Sequence, residues 1–247
     1  MSWLQDSVSI NNYTLFTTLS PTFVGFFVYS PPHIAGQYFV DSIMLWSNII
    51  QPRLISLACT SKPICKQRSK VIPFAKGEVL EIGFGSGHNL PYYNQNEIKS
   101  LIGLEPSLSM QKLSSERLKD FAINFRFLTA SAEEIPLKTE SIDTVVCTYT
   151  LCSIPKPELA LSEINRVLKK GGQFIFTEHS RSPDIKVNKF QKTIEPIWKI
   201  IGDGCHLTRD TRELLAHSGF DIQNTEDMYI PGTPKFIGYH IWGLISK

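Results

Sequence analysis

The sequence of 247 residues predicts an α/β fold: a mostly parallel sheet with helices on both faces and a C-terminal antiparallel hairpin. Three observations predict it. Short apolar strands alternate with helical segments through the middle of the chain, the pattern of crossover-connected parallel strands. One of them, residues 142–147, reads as a strand buried on both faces. Another, at Val79, Leu80 and Ile82, runs into glycines at 83, 85 and 87; without a Cβ, glycine adopts positive φ cheaply and lets backbone pass close to a ligand.

Along the chain, residues 37–59 read as one or two helices, with Met44, Leu45, Trp46, Ile49 and Ile50 available for burial and Pro52 as a kink or break. Residues 65–74 form a helix before the first strand. Leu101, Ile102 and Leu104 make the second strand. Residues 107–121 form the next helix, with Leu108, Met110, Leu113 and Leu118 as its apolar positions. Residues 125–128 form a short third strand and 142–147 the fourth. Pro157 suits a first helical position, and Gly171 stops the helix that follows. Ile164, Val167 and Leu168 give that helix an apolar stripe. The fifth strand is 174–177. Asp210, Thr211, Arg212 and Glu213 read as a capping box opening a helix that ends near Gly219. Residues 220–228 and 236–246 read as two strands around a Pro231-Gly232-Thr233-Pro234 turn.

A hydrophobic content of 42% with a net charge of +2 implies a packed core rather than disorder. Lysines and arginines are scattered. The densest run, residues 62–70, holds four, so no nucleic-acid footprint is predicted. Five cysteines form no CxxC and no His/Cys ligand spacing. They read as reduced thiols of a cytoplasmic protein, with no metal expected. The first 52 residues contain no Lys or Arg, and only Asp6 and Asp41 are acidic. They are rich in aromatics: Tyr13, Phe16, Phe23, Phe26, Phe27 and Tyr29. No basic residues precede the apolar stretch, as a secretory signal would require, and residues 13–29 are too short and too interrupted for a spanning helix. The segment reads as a lid over the active site or as a peripheral membrane contact through residues 1–50. The domains expected are an N-terminal extension, 1–63, and a catalytic domain, 64–247.

The chemistry concentrates around the glycines. Glu81 sits two residues before Gly83, and Glu105 ends the second strand, 22 residues after it. A carboxylate at that strand tip can accept hydrogen bonds from both hydroxyls of a ribose. Dinucleotide folds place the third glycine one residue later, where His88 stands here. The negative charge of Glu81 also suits a cationic ligand better than a pyrophosphate.

The run Glu-x-Gly-x-Gly-x-Gly at 81–87 resembles the first motif of class I S-adenosylmethionine-dependent methyltransferases. The resemblance continues in order. Residues 131–137 (Ser-Ala-Glu-Glu-Ile-Pro-Leu) look like the acidic loop at the adenine, 141–147 like the fourth strand, and 166–174 like the approach to the fifth. The segments 146–148, 151–153, 178–179 and 202–209 resemble a subgroup that includes the mammalian membrane-associated alkyl-thiol methyltransferases and many bacterial relatives. The resemblance implies a Rossmann-like seven-stranded sheet and S-adenosyl-L-methionine as cofactor. It assigns Gly83, Phe84, Gly85, Ser86 and Gly87 to backbone approach, Glu81 to the cofactor's amino acid end and Glu105 to the ribose. Pro106, Ser107 and Met110 would border the adenine, Ala132 and Glu133 would complete that side, and Tyr149 would line cofactor or acceptor.

Methyl transfer from a sulfonium depends mainly on alignment and exclusion of water, which can supply about 7–11 kcal/mol of barrier reduction. A strong acid–base pair is therefore optional. Candidates for removing a proton from the acceptor are His179, Asp203, His206 and Tyr149, and no one of them stands out. The Asn/Asp-Pro-Pro-aromatic sequence typical of base-amine methylation is absent after the fourth strand, where Cys147-Thr148-Tyr149-Thr150 stands. The acceptor implied is a small, lipophilic molecule such as a thiol. A lipid head group or a quinone is the alternative, and a non-catalytic scaffold with the same fold is the third reading.

Overall fold

The computed structural model describes residues 45–247, together with the backbone of a short antiparallel pairing, Ser9–Ile10 with Tyr13–Thr14. A compact unit spans residues 45–247. Residues 45–63, assigned above to the extension, thus belong to the same unit as the sheet. Met44 and most of the N-terminal apolar segment lie outside the described residues.

The unit is built on seven strands: β1 (Gly77–Ile82), β2 (Ile98–Leu104), β3 (Asn124–Leu128), β4 (Ile142–Thr148), β5 (Leu168–His179), β6 (Thr225–Tyr229) and β7 (Tyr239–Ser246). Their spatial order is β3-β2-β1-β4-β5-β7-β6. Pairs from β3 through β5 are parallel, while β7 runs antiparallel to both β5 and β6. The chain reverses its direction of travel across the sheet between β1 and β4, the switch point outside whose strand ends ligands bind in open α/β sheets.

Alternation along the strands divides the core. Leu80, Ile82, Val145, Cys147, Phe174 and Phe176 face one side, under helix α4 (Pro157–Val167), which contributes Ala160, Leu161, Ile164 and Val167. Val79, Leu101, Val146, Ile175 and Trp242 face the other, with Val71 of α2 (Lys62–Val71) and Phe84. Before α2 lies α1 (Gln51–Ala58), preceded by a π-helical turn at Trp46–Ile50. Pro52 lies at the junction where the π-helical turn, closed by Gln51 N–H donating to Trp46 O, passes into α1, and such π-bulges and prolines are the usual sites of a helix kink. Between β2 and β3 runs α3 (Leu108–Leu118), capped by Ser107, whose Oγ accepts from Met110 N–H.

Three expectations are corrected. Helix α4 stops at Val167, and Leu168 to Gly172 already belong to β5. Leu168 is fully buried opposite Ile142, Lys169 Nζ donates to Asp143 Oδ1 at 2.7 Å, and pairing resumes at Thr144 with Gln173 after a register shift. Gly171, at φ +74°, therefore bends a strand rather than ending a helix. Residues 185–201, unassigned in sequence, form α5 (Ile185–Ile201). Its one buried residue is Gln191, flanked by half-buried Val187, Ile194 and Trp198, while Ile185, Phe190, Ile197 and Ile200 are exposed. Finally, a helical turn, Lys235–Gly238, stands between β6 and β7 where a longer strand was expected. The capping box is present in its first half: Asp210 Oδ1 accepts from Glu213 N–H at 3.1 Å and opens α6 (Thr211–Ala216).

Phe84 packs its ring 4.9 Å from that of Phe125 and 5.5 Å from that of Phe127. Phe84→Ala should therefore destabilise the protein by about 3–5 kcal/mol, read as a lower urea midpoint without ligand. An unchanged midpoint would show this aromatic cluster to be unimportant for stability.

Candidate functional site

The site lies at the C-terminal ends of β1, β2, β4 and β5. Gly83 and Phe84 both donate their N–H to Leu104 O, at 2.9 and 3.1 Å, which ties the glycine loop to the end of β2. Gly83, Gly85 and Gly87 have φ of +65°, +56° and +78°, a region costly for residues with a Cβ. Their surroundings differ. A Cβ on Gly83 would lie 2.3 Å from Thr150 Oγ1, so this glycine is needed for packing against the turn after β4. A Cβ on Gly85 would meet nothing nearer than Gly83 O at 3.8 Å. Gly85 thus borders open space, where a ligand can approach the backbone. Phe84, between them, turns its side chain into the core, so only its backbone belongs to the loop. Ser86 is buried and donates to Ser56 Oγ of α1 at 2.9 Å, and Ser56 Oγ also lies 3.1 Å from His88 Nε2. Burial holds His88 down to about 4, so it is neutral at physiological pH.

Glu105 is 7% exposed. Its Oε2 accepts from Gly85 N–H at 2.8 Å and its Oε1 from Ser107 N–H at 2.9 Å. Each oxygen keeps a lone pair for a further donor. Burial pushes its carboxyl up, against the two N–H groups that favour the charge. Next to it, Pro106 is exposed and Met110 half-buried. On the neighbouring loop Ala132 sits in the core, while Glu133 Oε1 accepts from Lys156 N–H at 2.6 Å and anchors the loop to the start of α4.

Glu81 is 2% exposed and belongs to a polar network that sequence reasoning did not assemble. Its Oε2 accepts from Tyr93 O–H at 2.6 Å and its Oε1 from Asn89 Nδ2 at 2.9 Å. Asn89 Oδ1 and Thr148 Oγ1 each accept from Arg68 Nη1 at 2.6 Å. Arg68 is 4% exposed, and its Nε has no hydrogen-bond partner among the described residues. A buried, unsatisfied guanidinium N–H is costly and is a donor in wait for an anionic group. Arg68, Asn89 and Tyr93 carried no recognisable spacing. Only a basic residue in an otherwise apolar helix face hinted at Arg68. Burial raises the Glu81 carboxyl to about 7, with Tyr93 and Arg68 pulling the other way.

On the other side of the switch point stands Tyr149, at φ +54°. Its ring lies 5.2 Å from the Arg68 guanidinium carbon. Its hydroxyl donates to His240 Nδ1 at 3.2 Å, since His240 Nε2–H is directed at Ile237 O at 3.0 Å. Burial holds His240 down to about 3 and pushes the Tyr149 phenol well above its ordinary value. Both are held toward their neutral forms. Glu178 is fully buried. Its Oε1 accepts from Thr150 and Leu151 N–H at 2.7 and 2.9 Å, bracing the turn after β4.

The remaining candidates are dispersed. His179 Nε2 lies 2.9 Å from Cys205 Sγ, and the adjacent Cys152 sulfur helps to push its imidazole up despite burial. His206 Nδ1 is 3.4 Å from Glu195 Oε1 of α5, and burial, Arg209 and Lys199 hold its ring down. Asp203 is exposed in a left-handed conformation, φ +51°, and its charge bears on Glu105. No two of the four candidates are hydrogen-bonded to each other among the described residues.

Comparison with known proteins agrees with this geometry. A family profile described as a methyltransferase domain matches residues 80–176. A thiol S-methyltransferase TMT1B of Rattus norvegicus is 35% identical over 173 residues, 68% of this chain and 70% of the relative. The human TMT1A thiol S-methyltransferase is 31% identical over 71% of this chain and 72% of its own. The chain belongs to the class I S-adenosylmethionine-dependent methyltransferases. The fold of a putative methyltransferase from Bacillus halodurans matches this methyltransferase with a TM-score of 0.60 at 17% identity, over 74% of this chain and 98% of the other.

The residues fit S-adenosylmethionine. Gly85 opens on free space, Glu105 retains lone pairs, and the network offers both charges for an ammonium and a carboxylate: ionised Glu81 and Arg68. Two expectations follow. Glu105→Ala removes charged hydrogen bonds, each worth about 1.5–3 kcal/mol, so cofactor affinity should fall roughly 10- to 100-fold. Titration calorimetry giving the wild-type constant would remove Glu105 from the site. The second concerns pH. Glu81 is raised above its ordinary value, so in the free protein it is largely protonated below about 7, and its share of stability declines as pH rises from its unfolded value through about 7. A bound ammonium favours the carboxylate. Affinity should therefore rise with pH up to about 7 and level off, with proton release on binding at lower pH. Buffer-dependent calorimetry measures that release, and Glu81→Gln should abolish it.

Proposed function

We propose that the enzyme methylates the sulfur of a small, lipophilic thiol. The observation that carries this reading is the identity with thiol S-methyltransferases of 35% over about 70% of both chains. The site's chemistry supports it. A thiol, with an ordinary value near 8.5, loses its proton more readily than an alcohol or phenol. It needs only modest help, in keeping with neutral Tyr149 and His240 and the absence of a coupled acid–base pair among the candidates.

S-adenosylmethionine supplies a methyl group on a sulfonium sulfur. The chain's part is to hold and to exclude. Arg68 and Glu81 would grip the amino acid end, Glu105 the ribose hydroxyls, and the loop at Ser131 to Glu133 the adenine side. Tyr149, fixed by His240 and backed by Arg68, would line the acceptor side of the switch point. The Glu178 brace keeps the Thr150 and Leu151 turn rigid, so the acceptor meets a preformed wall.

A phosphatidylethanolamine N-methyltransferase of Cereibacter sphaeroides is 30% identical over 42% of this chain, which makes a lipid amine the competing acceptor. Labelled-methyl transfer to an alkyl thiol, a phenol and phosphatidylethanolamine vesicles separates them. Label should appear as the thioether. Label in the lipid with none in the thiol would overturn the reading.

A further inference from the structure

Cys152, His179 and Cys205 are far apart in sequence, and the fold brings them together. Cys152 follows the turn after β4, His179 ends β5, and Cys205 lies in the loop after α5. Cys152 Sγ, Cys205 Sγ and a ring nitrogen of His179 all lie within 4.8 Å of one another. Both cysteines are buried, at 3% and 7% exposure, and neither is in a disulfide.

We propose that these three side chains form a binding site for a zinc-like divalent cation, with a fourth position left for a small exogenous donor. Two thiolates and an imidazole are the donors that borderline-soft cations select, and three protein ligands with one open position is the arrangement of a non-structural zinc site. Zinc–sulfur bonds of about 2.3 Å and zinc–nitrogen bonds of about 2.0–2.1 Å place tetrahedral donors about 3.5–3.8 Å apart. The observed spacing brackets that range, since His179 Nε2 is 2.9 Å from Cys205 Sγ and the widest separation is under 4.8 Å. Small side-chain rotations would close it.

Charge and hydrogen bonding agree. Two thiolates balance a dication, and a neutral complex is what a buried site tolerates. On binding, each S–H proton leaves to solvent and a sulfur–metal bond takes its place. Trp198 Nε1–H donates to Cys205 Sγ at 3.1 Å, the outer hydrogen bond that orients a sulfur ligand. His179 Nδ1 is buried with no hydrogen-bond partner among the described residues. The ring proton can therefore sit on Nδ1 and leave the Nε2 lone pair toward the sulfurs. A cation here would join the turn after β4 to the 202–209 loop and to β5, fixing the wall on the acceptor side.

The test uses the reduced full-length protein, loaded with zinc or cobalt(II) and desalted. One metal per chain should be retained. The cobalt form should show thiolate-to-metal charge-transfer absorption, and zinc loading should raise the unfolding temperature. Cys152→Ser and Cys205→Ser should each lose the absorption and the stabilisation while keeping the wild-type circular dichroism, and Cys59→Ser should retain both. Metal at buffer background in the wild type, or a cobalt spectrum that survives both serine substitutions, would overturn the site. None of these readouts depends on which acceptor the enzyme methylates.

Discussion

The hydrogen bond from Gly85 N–H to Glu105 Oε2 is the interaction on which the candidate cofactor site depends. It joins the loop after β1 to the end of β2, and the second oxygen of the same carboxylate joins that strand end to the start of α3 through Ser107 N–H. A buried carboxylate cannot stay unpaired. Glu105 therefore demands these donors, and the loop conformation that supplies them needs positive φ at glycine. Gly83 meets the same constraint from the other side, because Thr150 occupies the space a Cβ would need.

The rule repeats at the other strand ends. Glu178 faces inward at the end of β5, where its Oε1 accepts from two N–H groups of the turn after β4 while its Oε2 is buried without a hydrogen-bond partner among the described residues. Glu81 ends β1 among Asn89, Tyr93 and, through Asn89, Arg68. Three carboxylates at three strand ends thus hold three loops in place before any ligand arrives. Donors and acceptors already oriented need little rearrangement during reaction, which is where preorganised sites gain their effect. The apolar sheet beneath supplies rigidity. Phe174 and Phe176 are fully buried on one face, and on the other face the Phe84 ring ties the glycine loop to Phe125 and Phe127.

The acceptor side is built differently. Burial keeps Tyr149 and His240 neutral, and His179 Nε2 faces the Cys205 sulfur.

Much of the fold was legible in sequence because strands buried on both faces are continuous apolar runs, and because a glycine loop with a carboxylate on the next strand has a fixed spacing. Both are local signals. The edges of elements were less so. Gly171 reads equally as a helix stop or a strand bend, and only the pairing of Leu168 with Ile142 decides between them. Helix α5 was hidden because its buried position is the polar Gln191, several of its apolar residues are exposed, and Pro196 interrupts its pattern. In the candidate site, the sequence by itself determined the glycine loop, Glu81 and Glu105 as candidates. Only the tertiary structure decided that Arg68, Asn89 and Tyr93 join Glu81 in one network, that His240 meets Tyr149, and that Cys152, His179 and Cys205 come together. Apart from Asn89 and Tyr93, those residues come from separate segments with no shared period. Their proximity is set by strand order and by the buried polar groups each must satisfy, neither of which is written in local spacing.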